Sequence, residues 1–170
     1  MLIPISQMMR ATVAAAALSV IGFAASADAL SSTFAFVVVE KNDAGVEELV
    51  ARNTVRPGEV IQYQLNHENM TDEDMAGIVV AAPVPEGVTI TLGNQTTSIN
   101  AVFEVQADLD PELDGLEWST LPAVRMVAGP DGVLREEPLP ETEIASVRWT
   151  YSDPLEAGKS AVNTYRVRVN

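Results

Sequence analysis

The feature that most constrains this chain is an alternation of apolar and polar residues with period two. Ile61, Tyr63 and Leu65 alternate with Gln62, Gln64 and Asn66. Val147, Trp149 and Tyr151 do the same against Arg148 and Thr150, and Tyr165, Val167 and Val169 against Arg166 and Arg168. Successive side chains of a β-strand point to opposite faces, so this pattern describes strands with one buried and one solvated face. Further strand segments are expected over Ser32–Glu40, Gly45–Asn53, Gly77–Ala82, Val88–Leu92 and Ser98–Gln106, with turn formers such as Lys41–Gly45 and Pro57-Gly58 between them. Gly129-Pro130-Asp131-Gly132 stands between Val124–Val127 and Val133–Arg135 and predicts a hairpin. The expected fold is all-β, an immunoglobulin-like β-sandwich of about seven to nine antiparallel strands. A barrel is the other architecture the pattern permits. One domain is expected over residues 30–170, with an irregular insertion rich in acid and proline at residues 107–143.

The one apolar run of helical character lies at the start of the chain. Arg10 supplies a single positive charge, Ala11–Ala25 is uncharged and apolar, and Ala27-Asp28-Ala29 has the small-x-small form of a signal-peptidase site. Residues 1–29 are therefore expected to be a helical signal peptide, cut between Ala29 and Leu30. Ala25-Ser26-Ala27 offers a second cut two residues earlier. The run is shorter than the roughly 20 apolar residues a membrane span needs, so the mature chain is expected to hold no integral membrane segment. This places it in the periplasm, at the cell surface or outside the cell. No cysteine is present to carry a lipid or a disulfide, and about 140 mature residues suffice to bury one core without staples. Leu139-Pro140-Glu141-Thr142 opens like a cell-wall sorting motif, but Glu143 occupies the place of the required glycine.

The formal net charge is −14, from 24 acidic and 10 basic side chains. Phosphate backbones are bound by clustered Lys and Arg, so a nucleic-acid partner is excluded, as is attraction to an anionic membrane surface. The expected partner is a protein or another cell-envelope component.

From Arg56 to Val88 the sequence resembles a known family. Val55-Arg56-Pro57-Gly58-Glu59-Val60-Ile61-Gln62-Tyr63 is followed by Asn69, by Gly77-Ile78-Val79-Val80 and by Val84-Pro85-Glu86-Gly87-Val88. Val147-Arg148-Trp149, Leu155-Glu156-Ala157-Gly158 and a closing strand over Ala161–Val169 continue it. The order is similar to that of the bacterial conserved-repeat domain, domain of unknown function eleven. It departs at Ala82, where the family has aspartate, and after Asn69, where Met70-Thr71-Asp72 stands in place of an early glycine. The resemblance implies an Ig-like sandwich in an exported or surface protein, with no catalytic residue to carry over.

Candidate chemistry is sparse, and no enzymatic activity is expected. His67 is the only histidine, there is no cysteine, and no nucleophile-elbow motif exists. Asp108, Asp110, Glu112 and Asp114 alternate ahead of Gly115, the spacing of hard oxygen ligands in a calcium loop. Counted from Asp110, however, the bidentate glutamate of a helical-hand loop falls on Leu121. Calcium is thus the one candidate cofactor, set against a plain solvated loop. Asp72-Glu73-Asp74 is a shorter acidic turn of the same kind. Trp149 is expected in the core and Trp118 at a ligand-contact surface, with a plug over one end of the sandwich as the alternative for Trp118. Asn69-Met70-Thr71 and Asn94-Gln95-Thr96 match a glycosylation acceptor, which a bacterial-type leader makes idle.

Overall fold

The computed structural model describes residues 29–170, so residues 1–28 of the expected signal peptide, Ala27 among them, lie outside the described residues. Eleven antiparallel strands follow one another: β1 (Leu30–Lys41), β2 (Glu47–Val50), β3 (Val60–Asn69), β4 (Val79–Pro83), β5 (Val88–Thr97), β6 (Ala101–Ala107), β7 (Glu117–Thr120), β8 (Val124–Ala128), β9 (Leu134–Pro138), β10 (Ser146–Tyr151) and β11 (Ser160–Val169). Nine of them form two sheets, a five-stranded one in the order β2-β1-β3-β11-β5 and a four-stranded one in the order β4-β10-β6-β7. The remaining two, β8 and β9, make the hairpin expected around Gly129–Gly132. The fold is an all-β sandwich, not a barrel.

The period-two pattern determines what lies between the sheets. Ile61, Tyr63, Leu65, Tyr165 and Val167 face inward from β3 and β11, and meet Val80, Val105, Val147 and Trp149 from the other sheet. Trp149 is 1% exposed and packs on Phe103 and Tyr165, with ring centroids 5.2 and 6.1 Å away. Two polar contacts, one buried and one partly buried, cross the sandwich. The Tyr165 hydroxyl donates to the Pro83 carbonyl at 3.2 Å, and the Asn163 amide donates to the Tyr151 hydroxyl at 2.7 Å. Such bonds fix the registration of the layers, because leaving a buried amide unpaired costs free energy.

Several boundaries differ from the local pattern, each through pairing with a distant strand. β3 runs on to Asn69 because Leu30↔Asn69 and Ser160↔Glu68 flank its end, so His67 lies within the strand. β5 continues past Gly93 to Thr97 because Thr96 and Thr97 pair with Thr164 and Asn163. Residues 107–143 are less irregular than their composition implies. β7 adds an edge to the four-stranded sheet through Gln106↔Trp118, and β8–β9 follows it.

Beyond β3 the chain turns on Asn69, which is fully buried. Its side-chain amide donates to the carbonyls of Glu73 (2.7 Å) and Leu155 (3.0 Å). Its side-chain oxygen accepts from the backbone N–H and hydroxyl of Thr71, at 3.0 and 2.7 Å. Met75 and Leu155 exchange backbone bonds beside it, and the Asp74 carboxylate accepts from Ala157 N–H at 2.9 Å. The acidic turn at residues 72–74 is thus a clamp between two loops.

Candidate functional site

The sequence-predicted residues fall in separate places. The four carboxylates at Asp108, Asp110, Glu112 and Asp114 sit in the connection from β6 to β7. Asp110 turns one oxygen back onto the Glu112 N–H at 3.0 Å, and Leu109 N–H is held by Glu117 instead. Among the described residues no three His, Asp or Glu side chains gather to hold a metal ion, so the loop does not converge as a calcium cage does. Leu139–Thr142 leads into a single 3₁₀ turn at Glu141–Glu143, and the Glu141 carboxylate accepts Leu92 N–H at 2.7 Å.

His67 is half-buried, with Nδ1 2.8 Å from the Ser32 hydroxyl across the β1–β3 pair. Its Nε2 is buried with no hydrogen-bond partner, and burial holds the imidazole below its ordinary pKa. A Ser–His pair without a carboxylate on the second nitrogen lacks the group that orients and stabilises a catalytic imidazolium. Of the two glycosylation-type sequences, Asn69 is closed to any modifying enzyme by its burial and its occupied amide, whereas Asn94 is exposed.

Trp118 lies on the outer face of the four-stranded sheet, partly exposed, and does not plug an end of the sandwich. Alternation along β10 and β6 sends Arg148, Glu104 and Gln106 to that same face. The Arg148 guanidinium stacks over the Trp118 ring at 4.3 Å. It is fixed by a forked ion pair to Glu104, at 2.7 and 2.9 Å. The hydrogen bonds from Arg148 hold the Glu104 carboxyl below the usual carboxylate range. An arginine locked in this way sets the tilt of the indole and leaves little freedom to lose on contact with a partner.

The outer face of the five-stranded sheet carries a second cluster, which composition concealed. Val60, Gln62, Gln64 and Asn66 of β3 lie beside Arg166 and Arg168 of β11 and Thr89 and Thr91 of β5. On the strands, only Glu47 and Glu68 bring carboxylates to this face. Near one end is a hollow of about 230 Å³ lined by Val39, Lys41, Glu47, Val60, Thr91, Asn94, Arg166 and Arg168. A second, of about 250 Å³, adjoins it at Thr91 and Arg168. Arg166 is anchored by Glu47 at 2.8 Å and by Gln62 at 3.0 Å. The wall exists because β5 bulges. Thr164 pairs with Thr96 but Arg166 with Thr91, so residues 92–95 are extruded around Gly93, whose φ of 87° suits glycine. In the sequence Arg166 and Arg168 are merely the solvated side of a strand. Their neighbours come from β1, β2, β3 and β5, and no local pattern announces that.

No protein family, curated protein sequence or solved structure matches this chain.

Proposed function

We propose that this chain is an exported, non-enzymatic interaction module of the periplasm or cell surface, whose contact surface is the outer face of the four-stranded sheet around Trp118. The observation that carries the reading is the Trp118–Arg148–Glu104 arrangement. A large ring is presented to solvent on a rigid sheet and held there by a guanidinium that is itself held at two points. Aromatic and arginine side chains so placed are the usual anchors of recognition surfaces. The leader expected over residues 1–29 and the resemblance of the motif order to the bacterial conserved-repeat domain support export and a structural role. Among the described residues no helix is long and apolar enough to cross a membrane.

A second reading, carbohydrate binding at the same face, draws on the same ring, because sugars stack on aromatic platforms. One experiment addresses export and another the surface. Produced with its own leader in a bacterial host, the protein is expected in the periplasmic fraction with Leu30 or Asp28 as its first residue; intact Met1 in membranes overturns the export reading. Cross-linking at the Trp118 face in an envelope extract should capture a partner that Trp118→Ala loses, while soluble glycans should leave Trp118 fluorescence unchanged. Saturable quenching by a glycan favours the second reading.

A further inference from the structure

We propose that the paired hollows on the outer face of the five-stranded sheet bind a carboxylated sugar, with Arg168 holding the carboxylate and Thr91 and Asn94 meeting its hydroxyls. The site lies on the opposite sheet from Trp118, so its test and that of the Trp118 surface fail separately.

The argument begins with charge. Acids outnumber bases 24 to 10 in this chain, and Arg52, Arg125, Arg135, Arg148 and Arg166 each sit in an ion pair. Among the described residues Lys41, Arg56, Lys159 and Arg168 make none, and two of these, Lys41 and Arg168, line the same hollow, beside Arg166. Three cations line the first hollow with Glu47, and Glu141, whose carboxylate is engaged by Leu92 N–H, is the one acid added by the adjoining hollow. At physiological ionic strength charges are felt over about 8 Å, so this local excess outweighs the distant −14. Glu47 also indicates the chemistry the place accepts, because its carboxylate already bonds Arg166 Nη1 at 2.8 Å. Arg168 offers a second, unclaimed fork of the kind that holds a carboxylate by two parallel bonds.

The surroundings narrow the ligand. Thr91 Oγ1 is buried and makes no hydrogen bond within the protein, although buried hydroxyls are nearly always satisfied. It belongs to the wall shared by both hollows, across the β5–β11 pair from Arg166. Thr89, Asn94 and Asn170 add further hydroxyl and amide groups, and the floor is Val39 and Val60. Each hollow is smaller than the roughly 300 Å³ at which drug-sized pockets begin, so the bound unit is of single-residue size. Hydroxyls and amides around one carboxylate suit a sugar acid better than an acidic peptide. A peptide adding to β5 as a strand would meet the extruded residues 92–95, which break the edge.

The test uses the whole mature chain and titrates glucuronate, glucose, inorganic phosphate and polyglutamate, followed by backbone amide and arginine side-chain NMR shifts. Glucuronate should give saturable shifts at Thr91, Asn94 and Arg168, and glucose none. Arg168→Gln should weaken binding at least about tenfold, the loss expected for one charge-assisted bond, and Thr91→Val should weaken it less. Arg168 is exposed and unpaired, so its variant should melt where the parent does. Absence of saturable shifts overturns the proposal. Equal binding of phosphate reduces the site to a general anion trap and overturns the sugar assignment, as does tighter binding of polyglutamate.

Discussion

Replacing Asn69 removes a residue whose every side-chain atom is committed. The amide and carbonyl together make four hydrogen bonds, to Glu73 O, Leu155 O, Thr71 N and Thr71 Oγ1. At about 1 kcal/mol net apiece, with a spread of about 0.5–1.5, full loss is worth about 2–6 kcal/mol. Two acceptors retain a second donor, since Met75 N–H also reaches Leu155 O and Thr71 Oγ1 also reaches Glu73 O, both at 2.9 Å. That redundancy lowers the expected cost of Asn69→Ala to about 2–4 kcal/mol, a fall in melting temperature of about 6–12 °C for a domain of this size. Asn69→Asp should be worse at neutral pH, because the new oxygen faces two carbonyls inside a fully buried site. Those carbonyls and the burial raise the aspartate pKa in the folded state, so the folded protein takes up its proton first. The deficit of Asn69→Asp relative to the parent should therefore shrink as pH falls from neutral through the raised pKa towards about 4, the unfolded value. Urea denaturation of parent, Ala and Asp variants at several pH values measures this. A cost below about 0.5 kcal/mol for the alanine variant refutes the reasoning, as does an aspartate deficit that does not vary with pH.

Emptying the Trp149 site with Trp149→Ala should cost about 3–5 kcal/mol, seen as a lower denaturant midpoint; an unchanged midpoint would contradict its placement between the sheets. His67 is held below its ordinary pKa by burial, so the unfolded chain takes up a proton first as pH falls below about 6.5. The parent should lose stability relative to His67→Gln from there down to the lower folded-state value, and equal curves would show the ring to be solvated. Millimolar calcium at fixed ionic strength should raise the melting temperature of the parent no more than that of Asp110→Asn/Asp114→Asn. A specific rise, about 2.7 kcal/mol at a hundredfold excess over the dissociation constant, would reveal a metal site in the loop.

The sequence alone determined which faces of β3, β10 and β11 are buried, and thereby the all-β class and the position of Trp149. That is because strand amphipathicity is written in immediate neighbours with period two. The hairpin at Gly129–Gly132 was legible for the same reason, its turn residues being local. Trp118 was legible as a contact candidate but its strand was not: β7 spans only Glu117–Thr120 and is made by pairing with β6. Tertiary structure alone decided the rest. Asn69 finds Leu155 across 86 residues, and Arg166 finds Glu47 across 119. A bulge in β5 brings Thr91 opposite Arg166 instead of a residue nearer Thr96. Whether an arginine on a solvated strand face ends up alone or beside two other cations depends on which strands become its neighbours. Sheet pairing joins segments far apart in the chain, and that information lies in no local window of it.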